Sequence, residues 1–237
     1  MFSNINIILV NTSHSGNIGS SARAMKTMGF ENLILVNPKD FPSSHANALA
    51  VGCRDVLDKA KVFNEFNEAI SIGNINIGLT VRSRRASIPI LEIDDFIDMI
   101  LLNSENKFNI IFGNEKSGLS NQELLKCDYV MTLPTSSKYK SLNLAFAVQI
   151  VVYELFKKSK YKLFKSKKLP NLASSKEKNF FIETLISLLK TTKFITEKNH
   201  QSLTKKIHII FNKANLETDE VNTLHGILSS LSKYSKK

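Results

Sequence analysis

Near-continuous apolar runs, separated by helical patterns, set the strongest limit on what this chain can fold into. They fall at residues 5–10, 33–37, 75–80, 108–112 and 129–133, with a shorter one at 62–63. Ile, Leu, Val and Phe dominate them without a regular polar alternation, as expected of strands buried on both faces. Helical patterns lie between them at 18–28, 46–57, 64–72, 93–102, 121–126 and 142–156. Strand and helix in alternation predict a parallel sheet covered by helices on both sides. Beyond residue 157 the pattern changes. A basic stretch over 158–175, carrying Pro170, precedes helical patterns only, at 176–190, 201–212 and 219–234. In the first of these, Phe180, Phe181, Leu185, Leu188 and Leu189 form an apolar stripe at helical spacing. The expected architecture is an α/β domain over 1–157, a basic linker over 158–175 and a small all-helical domain over 176–237.

Charge follows the same division. Residues 1–150 carry fourteen Lys and Arg against fourteen acids, whereas residues 151–237 carry eighteen Lys against seven acids, the whole of the net +11. The densest piece is Lys157, Lys158, Lys160, Lys162, Lys165, Lys167 and Lys168, with no acid among them. Such a run suits a polyanion, because each ammonium near a phosphate releases a condensed counterion. A solvated linker in a Lys-rich chain is the competing reading. All five arginines (Arg23, Arg54, Arg82, Arg84 and Arg85) precede residue 86. In a chain that otherwise uses Lys, they mark positions where a planar, bidentate fork is wanted. No apolar stretch is long enough to cross a bilayer, and no secretory leader is evident. The two cysteines, Cys53 and Cys127, fit a reducing compartment, so a cytoplasmic protein without a disulfide scaffold is expected.

In a parallel sheet, ligands bind beyond the carboxyl ends of the strands. The loop after the first strand reads Asn11-Thr12-Ser13-His14-Ser15-Gly16-Asn17-Ile18-Gly19 and opens a helix carrying Arg23. Its small residues would let the backbone approach an anion at a helix N-terminus. Arg23 is open to two readings, a ligand contact or a surface arginine. After the strand at 108–112 comes Gly113-Asn114-Glu115-Lys116-Ser117-Gly118, where glycines bracket a carboxylate. A ligand loop and a plain turn capped by Ser120 both fit. After the strand at 129–133, Ser141-Leu142-Asn143-Leu144 opens an apolar helix; Ser141 reads equally as its N-cap, and Asn143, placed in the first turn, needs a hydrogen-bond partner. The dinucleotide G-x-G-x-x-G, the P-loop and the G-x-S-x-G elbow do not occur. The five histidines and two cysteines show no metal-ligand spacing, so no metal is expected.

Taken together, three segments resemble the ordered motifs of the SPOUT-class RNA 2′-O-ribose methyltransferases: Asn17-Ile18-Gly19-Ser20-Ser21-Ala22-Arg23, Phe112 to Leu119, and Leu133-Pro134 with Ser141-Leu142-Asn143-Leu144. Farther on, Lys193-Phe194-Ile195, Phe211-Asn212-Lys213-Ala214 and Leu224-His225-Gly226-Ile227-Leu228 resemble the helical extension of the branch that methylates cytidine or uridine in tRNA. The resemblance implies an α/β/α domain with a C-terminal trefoil knot, S-adenosylmethionine as cofactor, and a homodimer sharing its active site. It implies nucleotide 32 of the tRNA anticodon loop as substrate. Carried over residue by residue, the cofactor site is Leu79, Thr80, Val81, Gly113, Leu133, Lys140, Ser141 and Leu142. Arg23 matches the catalytic arginine, with Asn17, Ser141 and Asn143 in the active site. Contacts to RNA are assigned to Arg23, Arg82, Arg84, Glu115, Lys157, Lys158, Lys205 and Lys206. Two alternatives stand beside this one: the same methylation at another RNA site, such as the wobble nucleotide or rRNA, and a catalytically silent RNA-binding dimer.

Overall fold

The computed structural model describes residues 2–80, 88–159 and 171–234. Its centre is a seven-stranded sheet in which every pairing is parallel. The strands are β1 (Ile5–Val10), β2 (Leu33–Val36), β3 (Lys61–Phe63), β4 (Ile75–Leu79), β5 (Ile90–Leu91), β6 (Phe108–Phe112) and β7 (Tyr129–Met131), ordered β3-β2-β1-β6-β4-β7-β5. The helices of this part are α1 (Ser15–Thr27), α2 (Ser44–Ala50), α3 (Arg54–Asp58), α4 (Phe66–Ile70), α5 (Ile93–Leu102), α6 (Asn121–Leu124) and α7 (Leu144–Ser159). Three more follow: α8 (Ser175–Thr191), α9 (His200–Lys213) and α10 (Thr218–Tyr234).

Strand pleating sorts the core into two layers. Ile5, Ile7 and Leu9 of β1 pack with α1, α5 and α7, whereas Ile8 and Val10 face α4 and α6. The last three helices hold a core of their own, built on Phe181, Ile182, Ile207, Val221 and Leu228.

The second layer contains a feature that apolar patterning does not suggest. Asn6, Asn109 and Asn76 stand side by side in register on β1, β6 and β4. Asn6 Nδ2 donates to Asn109 Oδ1 at 2.8 Å, and Asn109 Nδ2 donates to Asn76 Oδ1 at 2.7 Å. Asn76 Nδ2 in turn donates to Ser175 Oγ at the start of α8. A Cβ on Gly73 would lie 2.7 Å from the Asn109 amide, so glycine there makes the room. Beside this ladder, Lys178 of α8 pairs with Asp128; both side chains are under 8% exposed. Asp128 Oδ2 also accepts from the Asn76 main-chain N–H at 2.8 Å. A buried ladder whose members satisfy one another avoids the cost of an orphaned amide. It also fixes the helical segment to the amino-terminal half of the sheet.

Three expectations are corrected. The pattern at 46–57 is two helices, because Val51 (φ 25°) and Gly52 (φ 73°) adopt left-handed backbone between α2 and α3. The helix expected from residue 142 begins at Leu144, leaving Asn143 as its cap rather than in its first turn. The helix expected from residue 18 begins at Ser15. The two-residue strand β5 is additional.

Candidate active site

The carboxyl ends of β4, β6 and β7 open into one cleft enclosing about 120 Å³. Leu79 and Thr80 follow β4, Gly113 to Gly118 follow β6, and Leu133, Ser141 and Leu142 belong to the loop after β7. Leu144 and Ala147 of α7 close the apolar side. Gly113 is where the β6 loop folds back on itself. A Cβ there would sit 2.2 Å from the main chain at Gly118 and Leu119.

Helix α1 begins beside this cleft, and a carboxylate from the β6 loop organises its start. Glu115 Oε2 accepts from Ser13 N at 3.0 Å and Ser13 Oγ at 2.8 Å. Its Oε1 accepts from His14 N at 3.3 Å and Asn17 Nδ2 at 2.9 Å. The N-cap His14 supplies no side-chain bond, so Glu115 provides the negative charge that a helix N-terminus favours. Partial burial alone would raise the Glu115 pKa; donation from Ser13 and Asn17 outweighs it and lowers the carboxyl to about 2. The same bonds explain why α1 starts three residues earlier than periodicity suggests.

Asn17 also reaches the third loop. Its Oδ1 accepts from Asn143 Nδ2 at 3.1 Å, while Asn143 Oδ1 caps α7 by accepting from Ala145 N at 2.9 Å. Asn143 therefore has its partner, although it lies exposed at a helix cap. Asn17, Glu115, Ser141 and Asn143 thus gather at one rim of the sheet. Arg23 does not join them within this chain. It is exposed on α1, lines no part of the cleft and makes no ion pair or hydrogen bond among the described residues.

Of the residues assigned to a cofactor, Leu79, Thr80, Gly113, Leu133, Ser141 and Leu142 line the cleft; Lys140 is exposed and does not. Val81, Arg82 and Arg84 lie outside the described residues. Among the residues assigned to RNA, Glu115 is engaged with α1, so it does not present a free carboxylate. Lys157 pairs with Glu154 at 2.9 Å, and Lys158 with Asp98 at 3.0 Å and Asp94 at 3.3 Å. Lys205 and Lys206 are exposed on α9 without an ion pair among the described residues. Ser13 carries no signal of its own in the sequence, because its role depends on a carboxylate 102 residues away. Among the described residues no group of three or more His, Cys, Asp or Glu could hold a metal ion, and no helix is long and apolar enough to cross a membrane.

The cleft suits a nucleoside carrying a cation. Leucines offer flat apolar contact for a base, strand-end main chain offers hydrogen bonds to its edge, and Glu115 puts an ionised carboxylate on the wall.

The model of the SpoU rRNA Methylase family matches residues 4–153, and that of the tRNA methyltransferase TrmJ C-terminal domain matches residues 177–237. The chain is 40% identical to the tRNA (cytidine/uridine-2′-O-)-methyltransferase TrmJ of Photorhabdus laumondii, with all of both chains covered. It is 37% identical to the TrmJ of Yersinia enterocolitica over all of this chain and 94% of that one. The crystal structure of TrmJ from Z. mobilis ZM4 superposes with a TM-score of 0.86 at 29% identity, covering 96% of this chain and 98% of that one. The SpoU methyltransferase AviRb from Streptomyces viridochromogenes, solved with the cofactor AdoMet, shares the fold at TM-score 0.54 and 22% identity, covering 65% of this chain and 59% of that one.

Proposed function

The chain belongs to the SpoU methylase family and ends in a TrmJ-type C-terminal domain; from that premise we propose that it methylates the 2′-hydroxyl of cytidine or uridine at position 32 in the tRNA anticodon loop. The methyl donor is S-adenosylmethionine, which supplies when bound a methyl group on a sulfonium. The observation that carries the reading is the junction at Asn17, where the three motif loops meet beside a cleft of nucleoside character.

In this reading Leu79, Leu133 and Leu142 would give the cofactor its apolar contacts, and Thr80, Gly113 and Ser141 would offer it polar groups at the strand ends. The Glu115 carboxylate favours the positive charge of the cofactor and keeps the start of α1 in place. A ribose hydroxyl is a weak nucleophile, so alignment supplies much of the rate. Asn143 and Ser141 line the approach of the ribose, and Arg23 grips its phosphate as a fixed planar cation. Since Arg23 stands away from the cleft of its own chain, it serves the cleft of a second copy. The exposed stripe of Phe146, Ile150 and Tyr153 on α7 supports such a homodimer. The segment from β7 into α7 is the threaded part of the trefoil knot. Residues 1–157 form the methyltransferase domain, 158–175 the linker and 176–237 the tRNA-binding domain, and the substrate places the reaction in the cytoplasm.

The test is methyl transfer from labelled S-adenosylmethionine to bulk tRNA from cells lacking the gene, followed by nuclease mapping. Label in 2′-O-methylated C or U at position 32 is expected. Label confined to another RNA position overturns the assignment of the site, and no transfer overturns the enzyme.

A further inference from the structure

Residues 132–143, between β7 and α7, form a loop whose two ends are fixed. Leu133, Ser141 and Leu142 line the cleft, and Asn143 is bonded to Asn17. Its middle is turned outward. Ser136, Ser137, Lys138, Tyr139 and Lys140 are all exposed. Tyr139 is 75% exposed, more than any other large apolar side chain among the described residues.

Tyr139 N donates to Ser136 O at 3.3 Å, and Lys138 N donates to Ser136 Oγ at 3.3 Å, so a turn presents the ring. Lys138 and Lys140 flank it without an ion pair among the described residues, and no acid occurs between 132 and 143. Ser141 of the cleft is two residues on, at most about 7 Å of chain. An aromatic face between two ammonium groups, beside a methyl-transfer cleft, has the chemistry of a single-stranded nucleotide contact. Unpaired bases stack on such rings while cations hold the adjoining phosphates.

We propose that Tyr139 is a positioning residue for the RNA: its ring stacks an unpaired loop base next to the methylated nucleotide, and Lys138 and Lys140 pair with the flanking phosphates. The proposal rests on the tRNA reading above and names the contact by which an open loop, rather than a duplex, is selected.

Two experiments test it. Tyr139→Ala raises the KM for tRNA roughly tenfold to a hundredfold, the range for one lost base stack, with kcat and cofactor affinity close to wild type. Tyr139→Phe restores the KM, because stacking needs the ring and not the hydroxyl. The chain contains no tryptophan, so Tyr139→Trp installs a single indole, which is excited selectively over the remaining tyrosines. Its emission falls on titration with an anticodon stem-loop RNA and stays unchanged with a fully paired duplex of equal length. A wild-type KM in Tyr139→Ala, failure of Tyr139→Phe to restore it, or equal quenching by the duplex overturns the proposal. So does a Tyr139→Ala protein that sediments as a smaller species than wild type, which assigns the ring to a contact between copies. If the wild-type chain methylates no tRNA, the function is wrong, yet the fluorescence titration still decides the stacking.

Discussion

Asn17 and Glu115, 98 residues apart in sequence, are joined by a 2.9 Å hydrogen bond from amide to carboxylate. With the other end of the same amide held by Asn143, a single side chain ties three loops to one another. The rim of the cleft is therefore one connected unit, and its members are expected to respond together to substitution.

Glu115→Gln replaces one acceptor oxygen with a donor facing donors. The expected loss of stability is about 1–2 kcal/mol, reduced for the partial exposure of the carboxylate, and cofactor affinity falls with it. The contribution depends on pH in a defined direction. Because the folded carboxyl is lowered from 4.5 to about 2, its stabilisation is complete above its ordinary pKa and disappears as pH falls through about 2. Denaturant unfolding of both proteins between pH 7 and pH 2 should show the gap between them closing on acidification.

Arg23→Ala removes an exposed side chain that makes no hydrogen bond or ion pair among the described residues. Thermal stability and calorimetric binding of S-adenosylmethionine should match wild type, while kcat for tRNA falls by about 10²-fold, the loss expected when the ribose hydroxyl is no longer held in line. Unchanged turnover would exclude Arg23 from the reaction.

Gly113→Ala and Gly118→Ala separate crowding from backbone conformation. At Gly113 the added Cβ meets main chain at 2.2 Å, so the loop must open, with a loss of about 1–3 kcal/mol and weakened cofactor binding. At Gly118 the Cβ meets nothing within 4 Å and only the positive φ of 67° opposes it, a cost of about 1 kcal/mol. Unfolding and calorimetry on the pair should rank them in that order.

Lys178→Met leaves Asp128 buried beside the sheet without its counter-charge, at a cost of about 3–5 kcal/mol. Adding Asp128→Asn removes the stranded charge and should recover much of that loss. Chemical unfolding of the two single variants and the double variant reads the coupling.

Much of this was legible in the sequence because buried parallel strands announce themselves by composition. β1 and β6 match the expected spans, and the other principal strands end within two residues of expectation. What escaped lies in contacts between distant residues. Val51 and Gly52 continue an apolar helical spacing, and only their backbone angles reveal the break. Ile90 and Leu91 form too short a strand to carry a pattern. The asparagines of the ladder look like polar interruptions until three strands align them. In the site, small residues and glycines marked the loops at the strand ends, whereas the joining of Glu115 to Ser13 and Asn17 required the fold to be assembled.

The ladder and the ion pair bear on how such a protein could change over generations. Ser175 and Lys178 of the helical segment complete polar groups that belong to the sheet, Asn76 and Asp128. A gene shortened between α7 and α8 would leave Asn76 and Asp128 facing water, which can satisfy both. Losing Lys178 alone is the harsher change, because α8 then still keeps water from a carboxylate that has lost its counter-charge. The helical extension thereby shares in the sheet's own polar interior.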